Sequence, residues 1–175
     1  MKLCSCLALA LFVAFAPAAS PGSSAAAVKR DDLVGAWRLV GMTYRGPDGQ
    51  TDPFYQRDSS GLIIYDASGW MSVQIGAPHR ARWEVPARRL APDEKDAPAK
   101  AAALDGYYAY YGTWSFDERS SVVTHHVASA LLPAEEGLDY SQTVALDQGR
   151  LVFTTHTGSA GREIVRTKTW ERAAP

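Results

Sequence analysis

With 175 residues, 18 basic and 19 acidic side chains, the chain has a formal charge of −1. That balance offers no electrostatic footprint for nucleic acid or an anionic membrane surface, and the length suits one domain with its own core. Both cysteines, Cys4 and Cys6, fall among the first few residues, so the remainder holds no disulfide framework, thiolate metal site or cysteine nucleophile.

The start, MKLCSCLALALFVAFAPAAS, has one Lys, an apolar run from Leu3 to Phe15 and the small-residue stretch Ala16-Pro17-Ala18. This predicts a signal peptide over residues 1–18 and an exported protein, periplasmic or secreted. The run is short for a membrane span, so no stable span is expected after cleavage. Residues 19–30, which include PGSSAAA, read as a linker too poor in apolar mass to form a core. The domain is expected over residues 31–175.

From Asp31 short apolar or alternating runs are separated by turn residues, an all-β texture. The first strand is expected over Gly35 to Tyr44, ended by Gly46-Pro47-Asp48-Gly49. Leu62 to Tyr65 and Trp70 to Ile75 form a hairpin around Asp66-Ala67-Ser68-Gly69, a type I turn closed by Gly69 in the left-handed conformation. Its apolar face is read as Leu62, Ile64, Met71, Val73 and Ile75.

A long connection follows from Gly76 to Gly106, broken by Pro78, Pro86, Pro92 and Pro98, with a short helix at Ala97 to Leu104 stopped by Gly106. A connection this long is usually functional, and in a barrel it would cover a mouth. Its basic cluster, His79-Arg80-Ala81-Arg82 with Arg88-Arg89, is answered by Asp93, Glu94 and Asp96 and reads as a solvated loop.

The stretch YYAYYGTWSFDERSSVVTHHV (Tyr107 to Val127) forms the next hairpin. Its more apolar face carries Tyr108, Tyr110, Gly112, Trp114 and Phe116 and should point inward. A two-residue loop at Glu118-Arg119 would pair Trp114 with Val123, Gly112 with His125 and Tyr110 with Val127. His125 would then share an inward face with Val123 and Val127, beside the room left by a glycine; one extra residue in the turn would put His126 there instead. Tyr140 to Leu146 and Leu151 to His156 turn at Asp147-Gln148-Gly149, pairing Leu146 with Leu151, Val144 with Phe153 and Gln142 with Thr155. That face grades from hydrocarbon to polar, as a cavity with a greasy base and a wetter mouth would. A last strand runs from Arg162 to about Glu171, its register open.

A meander of about eight strands removes its edges by closing into an up-and-down barrel, whose interior can hold one small ligand. Two readings of His125 stay open. It is either an acid or base, being the side chain that titrates near neutrality, or an inward histidine hydrogen-bonded to a neighbouring tyrosine or threonine. His125 and His126 face opposite sides of a strand and cannot share one ion, so no metal is expected. No haem-attachment motif or nucleophile elbow is present, and no cofactor is expected.

Gly35-Ala36-Trp37, within LVGAWRLV, resembles the glycine-x-tryptophan motif on the first strand of lipocalins. With GLIIYDASGWMSVQI, YYAYYGTW, VVTHHV and the terminal TWER, nearly the whole mature chain is similar to the bacterial and fungal lipocalin-like domain family. The resemblance implies an eight-stranded calycin barrel whose lumen holds a small hydrophobic molecule. Gly35 and Trp37 would then close the barrel base, with Arg172 stacked on the indole. Some relatives occur with secondary-metabolite pathways, where a barrel acts as a cyclase or isomerase. Relatives often carry an arginine in the strand spanning Tyr140 to Leu146, where this chain has Ser141, Gln142 and Thr143.

The favoured expectation is an exported barrel binding a small hydrophobic or amphipathic molecule through Tyr108, Tyr110, Trp114, His125, Tyr140 and Gln142. The alternative is a cofactor-independent isomerase, cyclase or hydratase acting on a lipophilic substrate, with His125 as acid or base and Tyr110 polarising an oxygen.

Overall fold

The computed structural model describes residues 27–49, 58–80, 97–158 and 162–174. The signal peptide expected over residues 1–18 lies outside the described residues, as do Arg82, Arg88, Arg89, Asp93, Glu94 and Asp96 of the long connection.

Eight antiparallel strands close into one barrel in chain order, as the hairpin texture requires. They are β1 (Gly35–Arg45), β2 (Ser60–Tyr65), β3 (Trp70–Gly76), β4 (Tyr107–Asp117), β5 (Val122–Ala130), β6 (Asp139–Asp147), β7 (Arg150–Thr157) and β8 (Ile164–Arg172). A short helix α1 (Arg30–Leu33) precedes β1, and α2 (Ala97–Asp105) precedes β4. Pairing of β1 with β8 closes the sheet, leaving no open edge.

Turn chemistry sets the registers. In the β2–β3 hairpin Gly69 takes φ +98°, the left-handed conformation expected of it, and Ser68 N–H donates to the Asp66 carboxylate at 2.9 Å. That turn sets Tyr65 opposite Met71 and Ile63 opposite Val73. The inward face of β2 is therefore Ile63 and Tyr65, both 1% exposed, whereas Leu62 and Ile64 point outward. The sequence expectation for β2 is thus corrected by one residue. Apolar side chains occupy both of its faces, so composition alone could not choose between them.

The β4–β5 loop also differs from expectation. It spans residues 118–121, with Ser121 at φ 53°, so Asp117 pairs with Val122 rather than Ser120. The register moves by two residues: Trp114 lies opposite His125, Phe116 opposite Val123 and Gly112 opposite Val127. A shift of two preserves side-chain parity, so His125 still points inward and His126 outward. The role of Gly112 changes. At a bulge that places Ala128 as the extra residue of β5, a Cβ on Gly112 would collide with the His126 carbonyl and lie 2.9 Å from Ala128 N.

The β6–β7 register has Leu146 opposite Leu151 and Val144 opposite Phe153, as read from the sequence. A second bulge, between Leu39 and Gly41 of β1, turns both Leu39 and Met42 inward, against Trp170 and Lys168 of β8.

The barrel base is closed by the segment before β1. Val28, placed in the linker on composition, is 4% exposed, and Leu33 is fully buried. Leu33 O accepts a hydrogen bond from Trp37 Nε1 at 2.7 Å, and the Arg172 guanidinium lies 3.9 Å from the Trp37 ring centre. Arg172 also donates to Asp32 O, at 2.8 Å, and to Val34 O. Gly35, at φ +123°, is needed there because a Cβ would collide with that guanidinium.

Candidate functional site

Above the plugged base, the lumen of the barrel is layered. Tyr65, Trp114 and Phe153 form the lower aromatic layer, with Tyr65 and Trp114 ring centres 4.8 Å apart. Trp114 belongs to the closed end: its Nε1 donates to Asp66 O at 3.0 Å and Arg30 covers its ring at 4.3 Å. It does not line the open chamber described below.

His125 sits above this layer, 1% exposed, between two phenols. The Tyr65 hydroxyl is 2.6 Å from its Nε2, and the Tyr110 hydroxyl 2.6 Å from its Nδ1. Burial, reinforced by Lys168 and then His126, lowers the His125 pKa to about 3, so the ring is neutral near pH 7. Burial likewise raises the Tyr65 pKa well above that of a free phenol.

Hydrogen-bond satisfaction assigns the proton. Among the described residues Nε2 is the one partner of the buried Tyr65 hydroxyl, so Tyr65 O–H donates and Nε2 carries no hydrogen. Nδ1–H then donates to the Tyr110 oxygen. A hydroxyl that accepts one hydrogen bond is polarised into a better donor of the next.

Toward the mouth the lumen widens into a chamber of about 640 Å³ lined by Tyr108, Tyr110, Tyr140, Gln142, Thr155, Arg166 and Lys168, among others. Tyr110 is in edge contact with Tyr108 and Tyr140, at centroid distances of 5.5 and 5.7 Å. Burial, then the neighbouring Glu135 carboxylate, raises the Tyr140 pKa. The end of α2, Leu104 and Asp105, lies beside Tyr107, Tyr108 and Leu132 at the same rim. Arg80 braces α2 there, donating to Ala103 O at 3.0 Å and covering the Tyr107 ring at 4.8 Å.

Of the residues expected from sequence, Tyr108, Tyr110, Tyr140 and Gln142 line the chamber, and His125 lies behind Tyr110. Gly35, Trp37 and Arg172 form the base. Tyr65 and Lys168 were not expected. Tyr65 was concealed by the parity of β2. Lys168 was concealed because β8 reads Arg-Thr-Lys-Thr-Trp, in which an inward lysine contradicts the rule that places charge outside. His126 is engaged outside the barrel, with Nδ1 2.7 Å from Asp139 Oδ1 and Nε2 3.2 Å from Ser115 Oγ. No group of metal-ligating side chains assembles among the described residues.

The sequence profile of a family described as "Lipocalin-like domain" matches residues 34–173. No curated protein matches the chain. Among solved structures, the chain is similar to zebrafish ileal bile acid-binding protein complexed with cholic acid, at 14% identity and a TM-score of 0.36, covering 81% of this chain and 99% of that one. It is also similar to the siderocalin Ex-FABP, at 12% identity and a TM-score of 0.31, covering 81% of this chain and 74% of that one.

Proposed function

The chain belongs to the lipocalin-like domain family, and from that premise we propose that it is a carrier holding one small amphipathic molecule in the mouth chamber of its barrel. The observation that carries this reading is the chamber: about 640 Å³, within the size range of small-molecule sites, with aromatic walls and a few convergent polar groups. A filled structural core would leave no such space. The reading includes export to the periplasm or the surroundings, supported by the apolar run Leu3 to Phe15 and by the confinement of cysteine to that run.

A direct test is titration with the neutral fluorescent lipophile N-phenyl-1-naphthylamine. Saturable one-to-one binding is expected, and Thr155→Trp, which puts an indole into the chamber, should abolish it while the circular dichroism spectrum is kept. Binding that survives Thr155→Trp, or no binding by folded protein, would sink the proposal.

The chain Tyr65–His125–Tyr110 favours a second reading, in which the molecule is also transformed. His125 is too enclosed to touch a ligand broadly, so Tyr110 would be the contact group, donating its proton to a substrate oxygen, with His125 orienting that phenol. An isomerisation or cyclisation needs that proton given to the substrate and one taken back from it, and a hydration needs in addition a water that adds across the substrate bond. His125→Gln separates the two: a carrier keeps most of its binding, whereas an enzyme loses turnover.

A further inference from the structure

On the outer face of the barrel, three neighbouring strands bring together a serine, a histidine and a carboxylate in one hydrogen-bonded chain. His126 of β5 lies directly opposite Asp139 of β6, and its Nδ1 is 2.7 Å from Asp139 Oδ1. On its other side, Nε2 is 3.2 Å from Ser115 Oγ of β4. Thr113 faces His126 across the strand pair, so Ser115 is its diagonal neighbour, a separation that an aromatic ring can span.

The β4–β5 loop creates this contact. With the two-residue loop expected from sequence, His126 would face Tyr111, and Ser115 would stand four residues away along β4, beyond the reach of the ring. The longer loop shifts the register by two and sets them side by side. No nucleophile elbow carries Ser115; such constellations are recognised by geometry and role, and recur on unrelated folds.

Hydrogen-bond chemistry assigns the protons. An ionised carboxylate can only accept, so the hydrogen of the neutral imidazole is on Nδ1 and is donated to Asp139. Nε2 is then bare and accepts the Ser115 hydroxyl. A base oriented by a carboxylate and hydrogen-bonded to a hydroxyl is the arrangement that activates a serine oxygen. The group is also reachable. Ser115 is exposed, and the side chains of His126 and Asp139 are 43% and 62% exposed. Asp139 also borders the mouth chamber, which places the group on the outer side of the rim.

We propose that Ser115 is a nucleophile toward small carboxylic esters, with His126 as its general base and Asp139 as the residue that positions the base. This inference stands apart from the carrier reading. Ser115 Oγ bonds to the acyl carbon as its proton passes to Nε2; the bond to the leaving alcohol breaks, and the alcohol takes that proton. Water then attacks the acyl group and gives a proton to Nε2, the carboxylic acid departs, and Ser115 Oγ recovers the proton. Thr124 lies opposite Ser115 and shares a 2.9 Å hydrogen bond with Ser141; with Ser141 as donor, the Thr124 hydroxyl can donate to the oxyanion. One side-chain donor in place of a pair of backbone amides restricts the site to esters whose alcohol leaves easily. Asp117 and Asp139 disfavour an anionic acyl group.

Two probes test the folded, mature protein. Diisopropyl fluorophosphate, which forms an Oγ–P bond with loss of fluoride, should modify Ser115, located by peptide mass mapping; 4-nitrophenyl acetate reports turnover. Ser115→Ala should remove the adduct, and His126→Gln and Asp139→Asn should each slow modification at least about tenfold. Asp139→Glu should restore most of the rate, because a glutamate can again hold Nδ1–H. These are polar positions on the outer face, and the wild-type experiment needs no variant. Absence of an adduct at Ser115 in folded wild type would overturn the proposal, as would modification at an unchanged rate in His126→Gln. Equal nitrophenol release by Ser115→Ala and wild type would overturn the hydrolysis. An unchanged rate in Asp139→Asn would overturn the positioning role of Asp139.

Discussion

The hydroxyl of Tyr65 lies 2.6 Å from Nε2 of His125, joining β2 to β5 across the interior of the barrel. This contact fixes the imidazole tautomer, and through it Nδ1–H as the donor to the Tyr110 oxygen. Tyr65→Phe keeps the ring and its packing but leaves a buried acceptor without a donor, which should cost about 1–3 kcal/mol in urea unfolding. Tyr110→Phe should cost less, because water from the chamber can replace its hydroxyl. Nitrogen-15 spectra of the imidazole should show hydrogen on Nδ1 and none on Nε2; the opposite tautomer would refute the assignment.

The same histidine predicts how stability depends on acid. Its pKa is about 3 in the native protein, against an ordinary value of 6.5. Between those two values the unfolded chain binds a proton that the native state refuses, so stability falls as pH drops from 6.5 toward 3. The contribution at stake is at most about 5 kcal/mol. Urea midpoints measured over this window should fall more steeply for wild type than for His125→Gln. Parallel curves would show that His125 is not the group responsible.

At the base, Arg172 stacks on Trp37 and donates to two carbonyls that end α1. A lysine has neither the plane nor the fork to do both. Arg172→Lys should therefore cost about 1–3 kcal/mol, and Gly35→Ala should be destabilised as well, since its φ of +123° and the nearby guanidinium both exclude a Cβ. Thermal melts check both; a wild-type melting temperature for Arg172→Lys would mean that the base is held by apolar burial alone.

How far the site could be read from the sequence follows from side-chain parity. The barrel was legible because turn residues such as Gly69 and Gly149 sit where left-handed backbone is needed, at φ +98° and +78°. The sequence favoured His125 over His126 because Val123 and Val127 flank it on one face, and the two-residue slip of the loop keeps that face; a one-residue slip would have turned His126 inward instead. Tyr65 was not legible, since Leu62 and Ile64 compete with Ile63 and Tyr65 and only the turn decides between them. Lys168 was hidden for a different reason: its inward placement depends on closure of β8 against both β7 and β1, a long-range pairing that the local pattern does not encode.

The central claim is that the mouth chamber carries a ligand. Native mass spectrometry of the mature protein purified from its own host, followed by denaturation and identification of what is released, tests it most directly. The account predicts one small amphipathic molecule per chain, lost when Thr155→Trp fills the chamber. Repeated recovery of the folded protein with no adduct, and no melting shift across a panel of lipophiles, would contradict it.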